Sequence, residues 1–381
     1  MSVASLFAPD VIQHNTVAGY WPNTTICTYL DAAAQRHPDQ TAVVDRFGRL
    51  TYAELVQQVD RLALAWLDLG IETGDVVSFQ LPNWNQFVII QYALSRIGAV
   101  GNPLIPIYRQ RELRFMLKLA GSKVMIIPRT FREFDYTEMM RQLCPELPKL
   151  ERIYVLGDEV PADMHSFDAL LATPWERHGD VAALQARPVN PNALAEIVFT
   201  SGTTGEPKGV MHTHNTILGP VLSLIDRLQL EATDVIMMAS TFGHQTGYLY
   251  GVHMPTVLGG TGVYMDVWQA ARAVELIEAE GVTLTMGATP FLSDLTYAPN
   301  LARHCIASLR LFLSAGAAIP RQLVIDARER LRCAICAGWG MTENALVTVN
   351  RIDDPPEKIF GTDGCCLRGM AVKVVDDRGQ D

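Results

Sequence analysis

The 381-residue chain is 49% hydrophobic and 19% charged, which suits one large folded domain, or two merged subdomains, and excludes extended disorder. Its 41 Asp and Glu outnumber 31 Lys and Arg, giving a formal charge of -10. That balance excludes a general pull towards nucleic acid or an anionic membrane, so any anionic ligand needs a local site. Seven cysteines, odd in number and sparse, and an N-terminus, MSVASLFAPDVIQHN, without a basic or long apolar stretch predict free thiols in a reducing cytoplasm.

Thr51-Tyr52-Ala53-Glu54 has the spacing of a capping box, and Leu55, Val59, Leu62 and Trp66 continue it as one apolar helical stripe that Gly70 stops. A strand, DVVSFQL, follows. The alternation continues with a helix at NQFVIIQYALSRIG, a strand near AVGNPLIP, a helix at RELRFMLKLAG and the strand KVMIIP. Repeated β-α-β units predict largely parallel sheets covered by helices.

From about 158 to 192 the pattern weakens into short acidic, Pro-containing pieces, which reads as a connection between two α/β halves, about 1–190 and 191–381. The second half resumes with strand AEIVFT, helix NTILGPVLSLIDRL, strand DVIMMAS, helix VWQAARAVELIEAEG and strands VTLTMG and LRLFLSAG.

Val235 to Met265 contains no Asp, Glu, Lys or Arg. Its glycines, Pro255 and two histidines argue against a membrane span, leaving the wall of a binding cavity or plain core. Cys333 and Cys336 have C-x-x-C spacing without a second pair or a suitably spaced His, so two buried strand thiols are expected. Adjacent Cys365 and Cys366 point to opposite faces if extended, which disfavours a shared metal.

FTSGTTGEPKGV, residues 199–210, places glycines and the hydroxyls of Thr200, Ser201, Thr203 and Thr204 ahead of Lys208, after a short apolar strand. Inward-turned N–H groups, hydroxyls and one cation are what a polyphosphate needs. Pro207 and Gly209 break the Walker A pattern, which disfavours an ordinary P-loop NTPase. A solvated Ser/Thr/Gly linker is the bland alternative.

The stretch resembles the signature loop of the adenylate-forming superfamily: acyl-CoA synthetases, peptide-synthetase adenylation domains and beetle luciferases. LTYAELVQQVDRLALAWLDLGIETGDVV, STFGHQTG, LFLSAGAAIP, GWGMTEN and GTDGCCLRGMAVKVVD resemble further family segments, so the likeness runs from about residue 24 to about 377. It implies an α/β fold: a large acyl-CoA-synthetase-like N-terminal domain with two helix-flanked sheets layered αβαβα and a smaller β subdomain. It also implies attack of a carboxylate on the α-phosphate of ATP, giving acyl-AMP, and then displacement of AMP by a thiol, usually that of coenzyme A.

Carried over by this resemblance, Thr200, Ser201, Gly202, Thr203, Thr204, Gly205 and Lys208 would cradle the β/γ-phosphates. Thr342 would bond the α-phosphate, and Glu343 would hold Mg²⁺. Trp339 would stack on adenine beside Gly340, with Gly316 and Ala317 bordering adenine and acyl group. His244 would shape the acyl pocket near the reacting carboxylate rather than act as an obligatory base. Ala315, Ala318 and Ala337 depart from the family pattern and put the adenine hydrogen bonds in question. The chain ends at Asp381, before the ribose-binding Asp, the hinge and the small C-terminal domain with its lysine. This chain is therefore expected to bind nucleotide and acid, yet be weak or inactive in adenylation and to form no thioester.

With no acidic partner between Val235 and Met265 an amino acid substrate is disfavoured. Tyr248, Tyr250 and Met254 in that stretch suit a short- or medium-chain fatty acid or an alicyclic acid such as cyclohexanecarboxylate, with aromatic acids open. The rivals are a P-loop-like phosphotransferase and a non-catalytic nucleotide- or acyl-binding protein. The expected partners are a small carboxylic acid, ATP and CoA, with no nucleic acid and no transmembrane segment; a homodimer stays open.

Overall fold

The computed structural model describes residues 4–200 and 206–380. In chain order its strands are β1 (Thr41–Asp45), β2 (Gly48–Thr51), β3 (Val76–Phe79), β4 (Val100–Pro103), β5 (Val124–Pro128), β6 (Thr130–Phe131), β7 (Phe134–Asp135), β8 (Arg152–Leu156) and β9 (His165–Ser166). There follow β10 (Leu194–Thr200), β11 (Lys208–Thr213), β12 (Val235–Met238), β13 (Thr261–Tyr264), β14 (Leu284–Gly287), β15 (Leu311–Ala315), β16 (Ala334–Met341), β17 (Ala345–Val349) and β18 (Cys365–Cys366).

The strands form a seven-stranded sheet, β11-β10-β4-β3-β5-β8-β9, and a nine-stranded sheet, β18-β17-β16-β15-β14-β12-β13-β1-β2; β6 and β7 pair as a ribbon. The first sheet is parallel except for the β10–β11 hairpin, and the second is parallel from β16 to β1 with antiparallel ends. The smaller β unit takes the form of the antiparallel extension β16–β17–β18, which stays bonded to the larger sheet.

The sheets do not divide the chain at residue 190. The β10–β11 hairpin, from the second half, completes the first sheet, and β1–β2 complete the second. Sequence order and sheet membership separate because an edge position can be filled by whichever segment is nearest in space, and periodicity carries no record of that.

Between the sheets lie the helices Tyr52–Asp68, Asn85–Ile97 and His214–Leu228. Every residue from Phe87 to Ile97 is buried, the polar Gln91, Ser95 and Arg96 included. Outer helices complete the five layers. Leu113 and Met139 cover Met125 and Ile127 on one sheet, and Val274 and Ile277 cover Met237 and Phe312 on the other. The alternate residues Val124 and Ile126 belong to the central core instead, following the two-residue period of a strand.

The Thr51 hydroxyl accepts the Glu54 N–H at 3.2 Å and the Glu54 carboxylate accepts the Thr51 N–H at 2.8 Å, which is the expected capping box. The weakly patterned connection is a packed strap: Phe167, Leu170 and Leu184 are buried in the central core, and Glu176 pairs with Arg61 on the Tyr52–Asp68 helix. Among the described residues no helix is long and apolar enough to cross a membrane.

Candidate active site

Strands β16, β15, β14 and β12 lie side by side and parallel, and the motif segments leave their carboxyl ends. The chain runs from β12 to β13 on one side, then crosses to β14 on the other, so β12 marks the point where strand order reverses. Open α/β sheets bind ligands at such a point.

A cleft of about 180 Å³ opens there. One wall is His244, Gln245, Thr246 and Tyr250, after β12; a second is Ala315 and Gly316, at the end of β15. The third is the β16–β17 hairpin, with Gly340, Met341, Thr342, Ala345 and Leu346. Thus His244, Gly316, Gly340 and Thr342, from three separate stretches of sequence, meet.

His244 caps the short helix Gln245–Gly247: its Nδ1 accepts the Thr246 N–H at 3.2 Å, which leaves the ring proton on Nε2. His244 is exposed on the cleft wall, yet desolvation by its neighbours lowers its pKa below the ordinary 6.5, which favours the neutral imidazole. The loop behind it is clamped by Asn83, which accepts the Phe242 N–H and donates to Ser240 O, both at 2.9 Å.

The hairpin wall is fixed equally firmly. A Cβ on Gly340 would overlap the Ala345 carbonyl oxygen, and Ala345 itself sits at φ 59, the left-handed region that closes a three-residue hairpin loop. The Tyr250 hydroxyl accepts the Leu346 N–H at 3.1 Å, tying two walls together. Gly316 turns at φ 92 with open space beside it, so backbone lines the cleft there.

His212 on β11 was not legible as a site residue. Its Nε2–H donates to Thr342 O at 2.9 Å while Nδ1 accepts from the Thr216 hydroxyl at 3.2 Å. Burial lowers its pKa, keeping it neutral for that role. Lys208 and His212 are four residues apart on one strand and so share a face, which couples the position of the lysine's strand to that of Thr342.

Lys208 is exposed at the start of β11, in register with Thr200. Ser201, Gly202, Thr203, Thr204 and Gly205 lie outside the described residues. Trp339 is 42% exposed and stands next to the cleft without lining it. Ala317 also lies off its wall, and its carbonyl accepts the Thr289 hydroxyl at 3.2 Å.

Glu343 is exposed and makes no hydrogen bond or ion pair among the described residues, where no group of three or more His, Cys, Asp or Glu could hold a metal. One free carboxylate fits Mg²⁺, which keeps several waters and is commonly held by one or two carboxylates with phosphate oxygens of a substrate.

The uncharged stretch from Val235 to Met265 is both things expected of it. Gln245 and Tyr250 face the cleft, while Leu249, Val252 and Met254 are core. Cys333 and Cys336 are buried, their thiol pKa pushed up to about 12 by that burial, and all seven cysteines are free. A larger cleft, about 460 Å³, lies elsewhere between Arg46, Trp84, Arg129 and Glu159, and none of the motifs reaches it.

Comparison with known proteins bears on these motifs together. The family model described as AMP-binding enzyme matches residues 30–381. The chain is 34% identical to a medium-chain fatty-acid–CoA ligase of Escherichia coli, over 94% of this chain and 62% of that protein. It is 33% identical to a salicyl-AMP ligase / salicyl-S-ArCP synthetase of Mycobacterium tuberculosis, over 94% of this chain and 63% of that one. The apo structure of Mycobacterium smegmatis MbtA superposes with a TM-score of 0.86 at 28% identity, covering 100% of this chain and 68% of the other. The chain thus spans less than two thirds of the length of the two curated relatives.

Proposed function

Because the chain belongs to the AMP-binding enzyme family, we propose that it is the nucleotide- and acid-binding part of an ATP-dependent ligase that joins a carboxylic acid to coenzyme A. Acid and thiol do not condense in water until a carboxylate oxygen becomes part of a leaving group. A carboxylate oxygen bonds to the α-phosphorus of ATP as the bond to the β-phosphate oxygen breaks, releasing pyrophosphate. The thiolate then bonds to the acyl carbon as the bond to the AMP oxygen breaks.

In this reading Lys208 and the hydroxyl and N–H groups of Thr200, Ser201, Gly202, Thr203, Thr204 and Gly205 stabilise the charge that develops on the leaving pyrophosphate. The Thr342 hydroxyl donates to the α-phosphate, positioned through its carbonyl by His212. Gly316 lets the acyl phosphate approach the backbone; Ala317, Trp339 and Gly340 border the adenine. Mg²⁺, held through Glu343, would supply charge neutralisation at the phosphates. Neutral His244, whose Nδ1 is taken by the Thr246 N–H, orients the carboxylate by donation from Nε2–H and removes no proton.

The single observation that carries the reading is the meeting of His244, Gly316, Gly340 and Thr342 on one cleft at the strand-order reversal. Tyr250, Ala315, Met341 and Leu346 make its walls largely apolar, which supports a short- or medium-chain or alicyclic acid such as cyclohexanecarboxylate; the fatty-acid–CoA ligase relative agrees with that class. With all seven cysteines free, we place the protein in the cytoplasm.

Thermal denaturation with ATP-Mg²⁺, with apolar acids and with non-hydrolysable acyl-AMP analogues tests this, since a ligand of the native state raises Tm by mass action. An acyl-AMP analogue should stabilise most, and Lys208→Ala and Glu343→Ala should reduce the shift produced by ATP-Mg²⁺. Stabilisation by ATP that ignores every acid, with none from acyl-AMP, would favour a phosphotransferase or a plain nucleotide-binding protein.

A further inference from the structure

The cleft is not apolar throughout. Gln245 lines it, is 4% exposed, and has no hydrogen-bond partner for either its amide oxygen or its amide nitrogen. One helical turn on, the Tyr248 hydroxyl is also buried and unpartnered. Gln245 opens the short helix Gln245–Gly247 and Tyr248 the π-helical stretch that follows it, so the two groups lie close along one segment that begins at the cleft.

Tyr248 lies within electrostatic reach of Glu196 on β10, whose carboxyl is fully buried with both oxygens unpartnered. Glu196 is in register with Gly101 on β4, and the two share a face of the sheet. A Cβ on Gly101 would collide with Gln91 Oε1, itself buried and unpartnered, so Gln91 reaches the same face. Burial drives the Glu196 pKa well above the carboxylate range, which leaves an uncharged acid able both to donate and to accept.

Each of these groups, left dry and unpaired, costs on the order of 1–3 kcal/mol. Four of them, the first on the wall of the cleft, make a polar set for an occupant to satisfy. Some buried amides nearby are paired, Asn83 on both sides of its amide and Asn215 with Asn192, whereas His253 Nε2, whose ring packs on Tyr248, is also without a partner.

We propose that the acid carries a hydrogen-bonding substituent, a hydroxyl or a carbonyl remote from its carboxylate, and that Gln245, Tyr248 and Glu196 select for it. The proposal rests on the acyl-adenylate reading above. The rest of the acid stays apolar, matching Tyr250, Ala315 and Leu346, while its far end supplies the bonds the protein lacks. An acid without that substituent would leave the site unpaired or filled by water, the penalty on which such selectivity depends.

The test is titration calorimetry of the full chain with acyl sulfamoyl-adenosines, stable analogues of acyl-AMP. Cyclohexanecarboxylate is compared with its 4-hydroxy and 4-oxo derivatives, and octanoate with 8-hydroxyoctanoate. The wild type should prefer a hydroxy or oxo analogue over its parent by about tenfold or more, one good hydrogen bond's worth. Gln245→Met should remove that preference, with a ligand-free melting transition like that of the wild type showing that the variant is folded. Glu196→Met should remove it too, and Glu196→Gln, which keeps donor and acceptor, should retain part of it.

If the parents bind as tightly as every substituted analogue, the substituent proposal fails and water fills the site, while the adenylate reading stands. A stronger preference for a 4-amino analogue would mean an ionised Glu196 and would also overturn it. If no acyl sulfamoyl-adenosine binds, the adenylate reading itself fails and takes this proposal with it.

Discussion

Two buried carboxylates, Asp60 and Glu196, show what the same chemical group does in two settings. Asp60 accepts from Arg96 Nε at 2.9 Å and from Gln185 at 2.6 Å, and the same guanidinium holds Asp31 through two further bonds at 2.6 Å. That network joins the helices Ile26–Arg36, Tyr52–Asp68 and Asn85–Ile97 to the Val181–Gln185 strap. Glu196 has no hydrogen-bond partner. A satisfied buried charge braces a scaffold; an unsatisfied buried acid within electrostatic reach of Tyr248 is what the proposed selectivity draws on.

The largest expected effect breaks the satisfied side. Arg96→Leu leaves Asp60 without its charge partner, and urea unfolding should show a loss of about 3–5 kcal/mol. A loss below about 1 kcal/mol would mean that the network is ornamental, as surface pairs usually are.

Next is acid pH, which separates neutral buried groups from paired ones. His214 and His253 are fully buried, and burial first of all depresses their pKa values to about 4 and about 3. Both are neutral in the fold while the unfolded chain takes up protons below about pH 6.5. Their stabilisation is therefore fully present above pH 6.5 and is lost as pH falls. His214 alone accounts for on the order of 3 kcal/mol by pH 4. Melting curves between pH 7 and 4 should decline, and His214→Asn should flatten the decline; an unchanged slope in that variant would remove His214 from the explanation.

Thr51→Ala removes one half of a capping box at the head of the central helix Tyr52–Asp68 and should cost ~1 kcal/mol in chemical denaturation. Glu196→Met comes last. It trades an unpartnered acid for a side chain of similar length, so stability should stay within about 0.5 kcal/mol of wild type or rise. A loss comparable to that of Arg96→Leu would show that Glu196 is structural and erase the contrast between the two carboxylates.

Much of the scaffold was legible in sequence because local signals and tertiary demands agree: the Thr51–Glu54 cap, the Leu55–Trp66 stripe, and apolar runs such as Val124–Pro128 that are buried on both faces. The His244 and Thr342 segments, which meet at the cleft, each depend on a short run of neighbouring residues and so could be picked out in sequence. The exchange of β1–β2 and β10–β11 between sheets was not legible, since it is decided by which edge each strand meets in space. Nor were His212, Asn83 and Glu196. Their meaning lies in partners far along the chain, or in the lack of any, and in sequence His212 and Glu196 look like ordinary polar strand positions.

A crystal structure of the chain with the cyclohexanecarbonyl sulfamoyl-adenosine would test the whole reading most directly. The acyl group should lie between His244 and Gly316, its carbonyl next to His244 Nε2, with the sulfamoyl group, standing in for the α-phosphate, at Thr342. Density for the ligand in the larger cleft between Arg46, Trp84 and Arg129, with the cleft at the ends of β12, β15 and β16 empty, would contradict it.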